Sequence, residues 1–95
     1  MRVEITEPAE SDLLGIQNFI VVDNPERAAS FIAELKRLCT VGLVESPHMG
    51  RARDDLSPGL RVLVHRDYLI CYRVAQDVIY ILRVMHGSFD IALRF

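Results

Sequence analysis

Arg2-Val3-Glu4-Ile5 alternates polar and apolar positions, the period of a strand with one face in water. A slower rhythm follows. Ala9, Leu13, Ile16 and Ile20 recur every three or four residues and fall on one stripe of a helix. Thr6 stands where a cap belongs, Pro8 lies in the first turn, and Glu10 and Asp12 sit near the positive helix end. The pattern runs out near Val22. Asn24-Pro25 then starts a second helix, with Ala28, Phe31, Ile32, Leu35, Leu38 and Cys39 as its apolar stripe. So short a connection makes the pair an antiparallel hairpin. Gly42, which costs a helix about 1 kcal/mol relative to alanine, is expected in the last turns. The run from Glu45 to Gly50 breaks the helix.

Residues 51–59 (RARDDLSPG) read as a polar loop closed by a Ser-Pro-Gly turn. Three strand signals succeed it: Leu60–Val64, Tyr68–Val74 and Val78–Met85. Their separators, His65-Arg66-Asp67 and Ala75-Gln76-Asp77, are of hairpin length. Gly87–Phe95 fits either a short helix or an irregular tail. The order β-α-α-β-β-β predicts an α+β fold: an antiparallel helical hairpin packed on one face of a mostly antiparallel four-stranded sheet. Alternation groups Leu60, Val62 and Val64 against Arg61, Leu63 and His65. It likewise groups Leu69, Cys71 and Arg73, and Ile79, Ile81, Arg83 and Met85. If the helices cover the all-apolar side, the other face carries Arg61, Arg73 and Arg83 among Leu63, Leu69, Cys71, Ile79, Ile81 and Met85. Left open, such a face is a partner surface. Alternatively, the tail with Phe89, Ile91, Leu93 and Phe95 folds over it. A register slip of one residue exchanges the faces.

At 95 residues the chain is read as one domain, residues 1–95. With 51% hydrophobic and 25% charged residues it has the composition of a soluble globular protein. No apolar run approaches the ~18–20 residues of a membrane span, and no basic start precedes an apolar core as in a secretory signal. The expectation is a cytoplasmic protein with no membrane partner. Cys39 and Cys71 sit in apolar segments without CxxC spacing or paired histidines, so they are read as buried thiols and no metal site is expected. No GxGxxG, P-loop or Ser-His-Asp pattern occurs, so no cofactor is expected.

A net charge of −2 argues against a generic nucleic-acid binder, and no direct sequence-specific binding of nucleic acid is expected. The charge is unevenly spread. Residues 1–48 hold four cations against eight acids, whereas residues 49–95 hold seven arginines against five acids. The positive charge of the C-terminal half is all arginine, whose planar fork suits phosphate or carboxylate.

From Pro47 to Asp90 the chain carries a recognisable set of motifs: Gly50-Arg51; Asp55-Leu56-Ser57-Pro58-Gly59-Leu60-Arg61; Tyr68-Leu69-Ile70-Cys71-Tyr72-Arg73-Val74; and Ile81-Leu82-Arg83-Val84-Met85-His86-Gly87. These resemble the GR…L…GLR, Y-x-x-x-YRV and closing ILRVxH segments of the RelE/ParE superfamily of type II toxin–antitoxin toxins. The hairpin, with Ala9, Asp12-Leu13, Ile16 and Pro25-x-x-Ala28, fits as well. The resemblance spans nearly the whole chain, lies closer to the ParE branch, and implies the same β-α-α-β-β-β order. It also implies a toxin of the plasmid-stabilisation kind, held in a hetero-oligomer by a cognate antitoxin. ParE-type members bind DNA gyrase and trap its cleaved-DNA state; RelE-type members are ribosome-dependent endonucleases that cut messenger RNA.

The two branches differ at positions this chain makes legible. Cleavage by 2′-hydroxyl attack needs a base, an acid and cations on the phosphate. RelE-type members place two basic residues, two apart, on the first meander strand, where this chain has Arg61 and Leu63. They follow the aromatic that opens the next strand with arginine; here Leu69 follows Tyr68. They put a Lys-Arg pair after the last strand, where His86, Gly87 and Ser88 stand, and a tyrosine near the end, where Phe95 stands. An endonuclease here would have to work with Arg61 and His86 alone. The resemblance therefore implies a gyrase inhibitor with no catalytic residues, and a target- or antitoxin-binding set of Arg61, Arg73, Arg83, His86, Ser88 and Phe89. A toxin that has lost its activity and only binds antitoxin is a third possibility. Two roles stay open for His86, a proton carrier near neutral pH or a turn anchor. Arg61 and Arg83 either meet a partner's carboxylates or pair with Asp54, Asp55 or Asp90. His48 and His65 are read as exposed loop residues.

Overall fold

The predicted periods appear, with small extensions, in the computed structural model, which describes residues 1–95. Strand β1 is Arg2–Ile5, helix α1 Glu7–Val21 and helix α2 Pro25–Arg37. Asn24 caps α2 as its sequence position suggests, its side-chain oxygen accepting from the Arg27 N–H at 3.1 Å. Thr6 stands at the first cap position but does not cap: its hydroxyl donates instead to Ile81 O at 2.7 Å and to Leu82 O at 3.3 Å. Past Arg37 the helix loosens into a π-helical turn, Leu38–Gly42, and ends in a last α turn, Leu43–Glu45. Gly42 thus lies where expected.

Strands β2 (Arg51–Ala52), β3 (Leu60–His65), β4 (Tyr68–Ala75) and β5 (Val78–His86) complete a sheet of order β1-β5-β4-β3-β2. The class is the expected one, α+β with two helices on a mixed sheet, but there are five strands rather than four. The extra strand comes from the segment read as loop, since Arg51 and Ala52 pair with Val62 and Arg61; two residues are too few to display a period. β1 runs parallel to β5, and the other pairs are antiparallel. Arg66 and Gln76 take the positive φ values, 55° and 57°, that the tight β3–β4 and β4–β5 turns demand.

The face assignment needs correction. A bulge sets Cys71 opposite Arg83 but the next residue, Tyr72, opposite Ile81, so Leu82 is the extra residue. Parity changes there, and Ile81 and Val84 both join the layer under the helices. That layer contains Leu13, Ile16, Phe31, Leu35, Ile70, Tyr72, Ile79, Ile81 and Val84, with Leu63 and Tyr68 against it. Leu63, Ile79 and Ile81, assigned to the open face, are therefore on the covered one. The opposite face holds Leu60, Val62, Cys71 and Met85, and it is not bare: Leu56, Leu69, Leu82, Ile91 and Phe95 pack on it. The tail does fold over this face, through Ile91 and Phe95, while Phe89 and Leu93 stay exposed. Its only regular element is a short 3₁₀ turn, Ile91–Leu93. Both cysteines are buried free thiols, and burial pushes each thiol up to about 12. No helix is long and apolar enough to cross a membrane.

Candidate functional site

The three arginines singled out from sequence do not share a face. Arg61 turns toward the loop before β2, donating to Gly50 O at 2.8 Å and His48 O at 3.3 Å. Tyr72 works on the same loop: its hydroxyl donates to Pro47 O at 2.7 Å and accepts the Gly50 N–H at 2.8 Å. A Cβ on Gly50 would come within 2.6 Å of the Tyr72 ring, so only glycine fits. Arg73 binds the turn before β3, with Nε on Pro58 O at 3.0 Å and Nη2 on Ser57 Oγ at 2.7 Å. Both residues are thus engaged in holding the chain that precedes β3.

Arg83 has a different partner from those proposed. Its Nε and Nη2 donate to the two oxygens of Asp12 at 2.7 and 2.8 Å, a bidentate pair between β5 and α1. The Asp12 carboxylate beside it raises the Arg83 pKa further. The expected acids do other work: Asp54 accepts from Gly59 N, Asp55 pairs with Arg53, and Asp90 caps the tail turn through Ala92 N.

Beside this pair lies a groove of about 590 Å³ between α1 and the far end of β5. Ser11, Gly15 and Phe19 form its α1 wall, and Arg83, His86, Ser88, Phe89 and Arg94 its opposite wall, with Ile16, Tyr68 and Val84 beneath. Four predicted residues therefore meet here (Arg83, His86, Ser88 and Phe89), while Arg61 and Arg73 lie elsewhere. Two aromatic side chains stand in the walls with much of their area in solvent, Phe19 at 74% and Phe89 at 54% exposed. The Arg94 guanidinium sits 5.8 Å from the Phe89 ring centroid and has no acidic partner in the chain.

His86 is the turn anchor. Its Nδ1 accepts the Ser88 N–H at 3.0 Å and lies 2.8 Å from Ser88 Oγ. A main-chain N–H can only donate, so Nδ1 is the acceptor and Nε2 carries the proton of the neutral ring. The ring meets Tyr68 edge-on at 5.2 Å. An Arg61–His86 pair is not assembled: Arg61 lies four residues up β3 from His65, whose register partner Tyr68 is opposite His86. That is roughly 13 Å along the strands, with two strand spacings of about 4.8 Å across them as well.

Sequence reasoning missed Phe19, Gly15 and Arg94. Phe19 carried a usable signal, since it falls off the apolar stripe of α1 and onto the solvent side. Also missed was a clasp two strands across from His86 at the same end of the sheet, where His65 is not a free loop residue. Its Nε2 lies 2.9 Å from Glu34 Oε1, and Arg27 and Arg66 meet the same carboxylate at 2.7 and 3.4 Å. Hydrogen bonds from Arg27, His65 and Arg66 hold the Glu34 carboxyl at about 2.

Comparison with known proteins gives one answer. Residues 3–91 match the family model described as the ParE toxin of the type II toxin–antitoxin system parDE. The chain is 33% identical over 95 residues to Toxin ParE3 of Caulobacter vibrioides, an alignment covering 98% of this chain and 93% of that relative. It superposes on a solved chain of a chromosomal ParDE toxin–antitoxin system from P. aeruginosa with a TM-score of 0.70 and 29% identity, covering 90% of this chain and 95% of that one. A chain of the RelBE2 toxin–antitoxin complex from Mycobacterium tuberculosis is similar at a TM-score of 0.69 and 25% identity, with the same two coverages.

Proposed function

This chain belongs to the ParE toxin family of type II toxin–antitoxin systems, and from that premise we propose that it inhibits DNA gyrase by binding, and that a cognate antitoxin neutralises it by covering the groove between α1 and the end of β5. The supporting observation is the groove itself. It brings together Arg83, His86, Ser88 and Phe89, adds a second exposed aromatic, Phe19, and an uncompensated arginine, Arg94, and provides no acid–base pair. Aromatic and arginine side chains are the residue types that anchor protein interfaces. Arg61 and Arg73, spent on the chain's own carbonyls, support the fold and not the contact.

Inhibition without chemistry needs only complementary surface, and the groove supplies an apolar centre with a cationic rim. The test is expression of the chain without its antitoxin, followed by pulse labelling of DNA and protein synthesis, with a supercoiling assay on purified gyrase. DNA synthesis falling first, with loss of supercoiling in vitro, is the expected result. Protein synthesis falling first, with new cuts in translated messages, would overturn it in favour of the endonuclease reading. If neither falls while antitoxin still binds, the chain is a toxin that has kept only its binding surface.

A further inference from the structure

β1 is shorter than the strand it pairs with. Its register ends at Ile5 opposite Ile81, and β5 continues to His86 with no strand on that side. A strand edge left in this way exposes a row of main-chain donors and acceptors. Here side chains from α1 and its cap take the place of the missing strand. Thr6 N–H and Oγ–H both donate to Ile81 O, at 3.1 and 2.7 Å. One turn and a half further on, the Asp12 carboxylate accepts the Val84 N–H at 2.9 Å. The same carboxylate takes both donors of Arg83.

Asp12 thus receives three hydrogen bonds from two consecutive residues of β5, all across a separation of more than 70 positions. Only 15% of its side chain is exposed. The bulge lies immediately before these residues; on the β4 side the ladder resumes at Arg83 and runs to His86, and on the other side Asp12 is what meets the strand. The far wall of the groove follows directly from this stretch: His86 closes β5, Phe89 N–H returns to His86 O at 3.1 Å, and Ser88 N–H binds His86 Nδ1, while Gly87 N–H ties the end to Asp67 O at 2.7 Å.

We propose that Asp12 is a positioning residue of this groove, whose hydrogen bond to the Val84 N–H sets the direction of β5 beyond its bulge and so places His86, Ser88 and Phe89 where a partner meets them. The inference rests on the reading of the groove as the partner surface. On this account the main-chain bond matters more than the ion pair, which separates it from a role in stability alone.

Three variants make the test: Asp12→Ala, which removes every acceptor; Asp12→Asn, which keeps one oxygen for the Val84 N–H; and the exchange Asp12→Arg with Arg83→Asp, which restores opposite charges but leaves that N–H facing a donor. The readouts are amide hydrogen exchange and chemical shifts by NMR on the whole chain, and affinity for the antitoxin encoded beside it. In Asp12→Ala the Val84 amide should exchange at least about tenfold faster, resonances of residues 86–89 should move, and affinity should fall about tenfold or more. Asp12→Asn should keep most of the affinity. The charge exchange should recover melting temperature without recovering affinity. Recovery of affinity by the exchange, or unchanged Val84 exchange and unchanged 86–89 resonances in Asp12→Ala, overturns the proposal. If the unaltered chain does not bind its antitoxin, the partner reading fails instead, and the NMR readout still decides whether Asp12 positions the strand.

Discussion

Helix α1 has two flanks, each bordering a groove. Toward β5 the groove is about 590 Å³; its one acid, Asp12, is neutralised by Arg83, and Arg94, Phe19 and Phe89 are left facing outward. Toward α2 it is about 450 Å³, and Glu7 and Glu10 face one cation, Lys36, around Leu13, Leu14 and Ile32. Size does not separate them. What differs is the balance between charge committed inside the chain and charge left over. One flank leaves cation and aromatic ring in surplus, the pattern of an interface core; the other leaves carboxylates, which solvate readily and stay apart from partners of like charge. A chain whose net charge is negative has kept a cationic groove at one side of one helix.

The sharpest way to break that contrast is to reverse it. Phe89→Glu with Arg94→Glu should lower antitoxin affinity by about 100-fold, or about 2.7 kcal/mol, in titration calorimetry. Glu10→Lys on the other flank should change it by less than about twofold. Equal losses from both would mean that the antitoxin wraps the helix with no preference for a flank. Next in size is Arg83→Ala, which strips Asp12 of two donors and should cost about 1–3 kcal/mol of stability in urea unfolding. Lys36→Ala across the helix should stay within about 0.5 kcal/mol.

Gly15 gives an effect of the opposite sign. It lies inside α1, lines the first groove, and a Cβ there would meet nothing within 4 Å. Gly15→Ala should therefore stabilise the isolated chain by about 0.5–1 kcal/mol, visible as a higher melting temperature; a loss would show that the helix is not free at that point. The smallest effect lies away from both flanks. Glu34 is held at about 2 against an ordinary 4.5. A depressed carboxylate contributes its stability fully above about 4.5 and gives it up as pH falls toward about 2. Glu34→Gln should lower stability slightly at neutral pH, flatten the acid limb of a pH–stability curve in that window, and converge with the unaltered chain toward pH 2.

The elements that announced themselves were those long enough to show a period. α1 and α2 did so through Ala9-Leu13-Ile16 and Phe31-Ile32-Leu35, and the three-strand meander through its evenly spaced turns. β2 could not, at two residues. The bulge was hidden for a different reason. Ile79-Tyr80-Ile81-Leu82-Arg83-Val84-Met85 reads as unbroken alternation of one kind or another, and nothing in it says where the phase changes. That unseen residue misplaced Ile79 and Ile81; Leu63 was misplaced separately, because the all-apolar Leu60-Val62-Val64 side of β3 was expected under the helices and faces the tail. The site was half legible: His86, Ser88 and Phe89 are neighbours in sequence and could be read together. Asp12 and Arg83 lie 71 positions apart, and only the packing of a helix beside a strand end makes them a pair. Arg61 and Arg73 had the same residue type as Arg83 but meet carbonyls at short range, a distinction that charge counting does not make.

The bulge also carries a consequence for how such a chain can change length. If Leu82 were deleted, Ile79, Ile81 and Val84 would fall on strict alternation and still point at the helices, so the hydrophobic layer would keep its membership. Arg83 would stay opposite Cys71 and His86 opposite Tyr68, because the ladder with β4 is in step on both sides of the bulge; what would go is the local kink and twist that the extra residue adds. The extra residue is absorbed locally, between two stretches of β5 that are each in register with β4. An insertion or deletion at that point would change how sharply β5 turns toward its last residues and leave the core layer as it is.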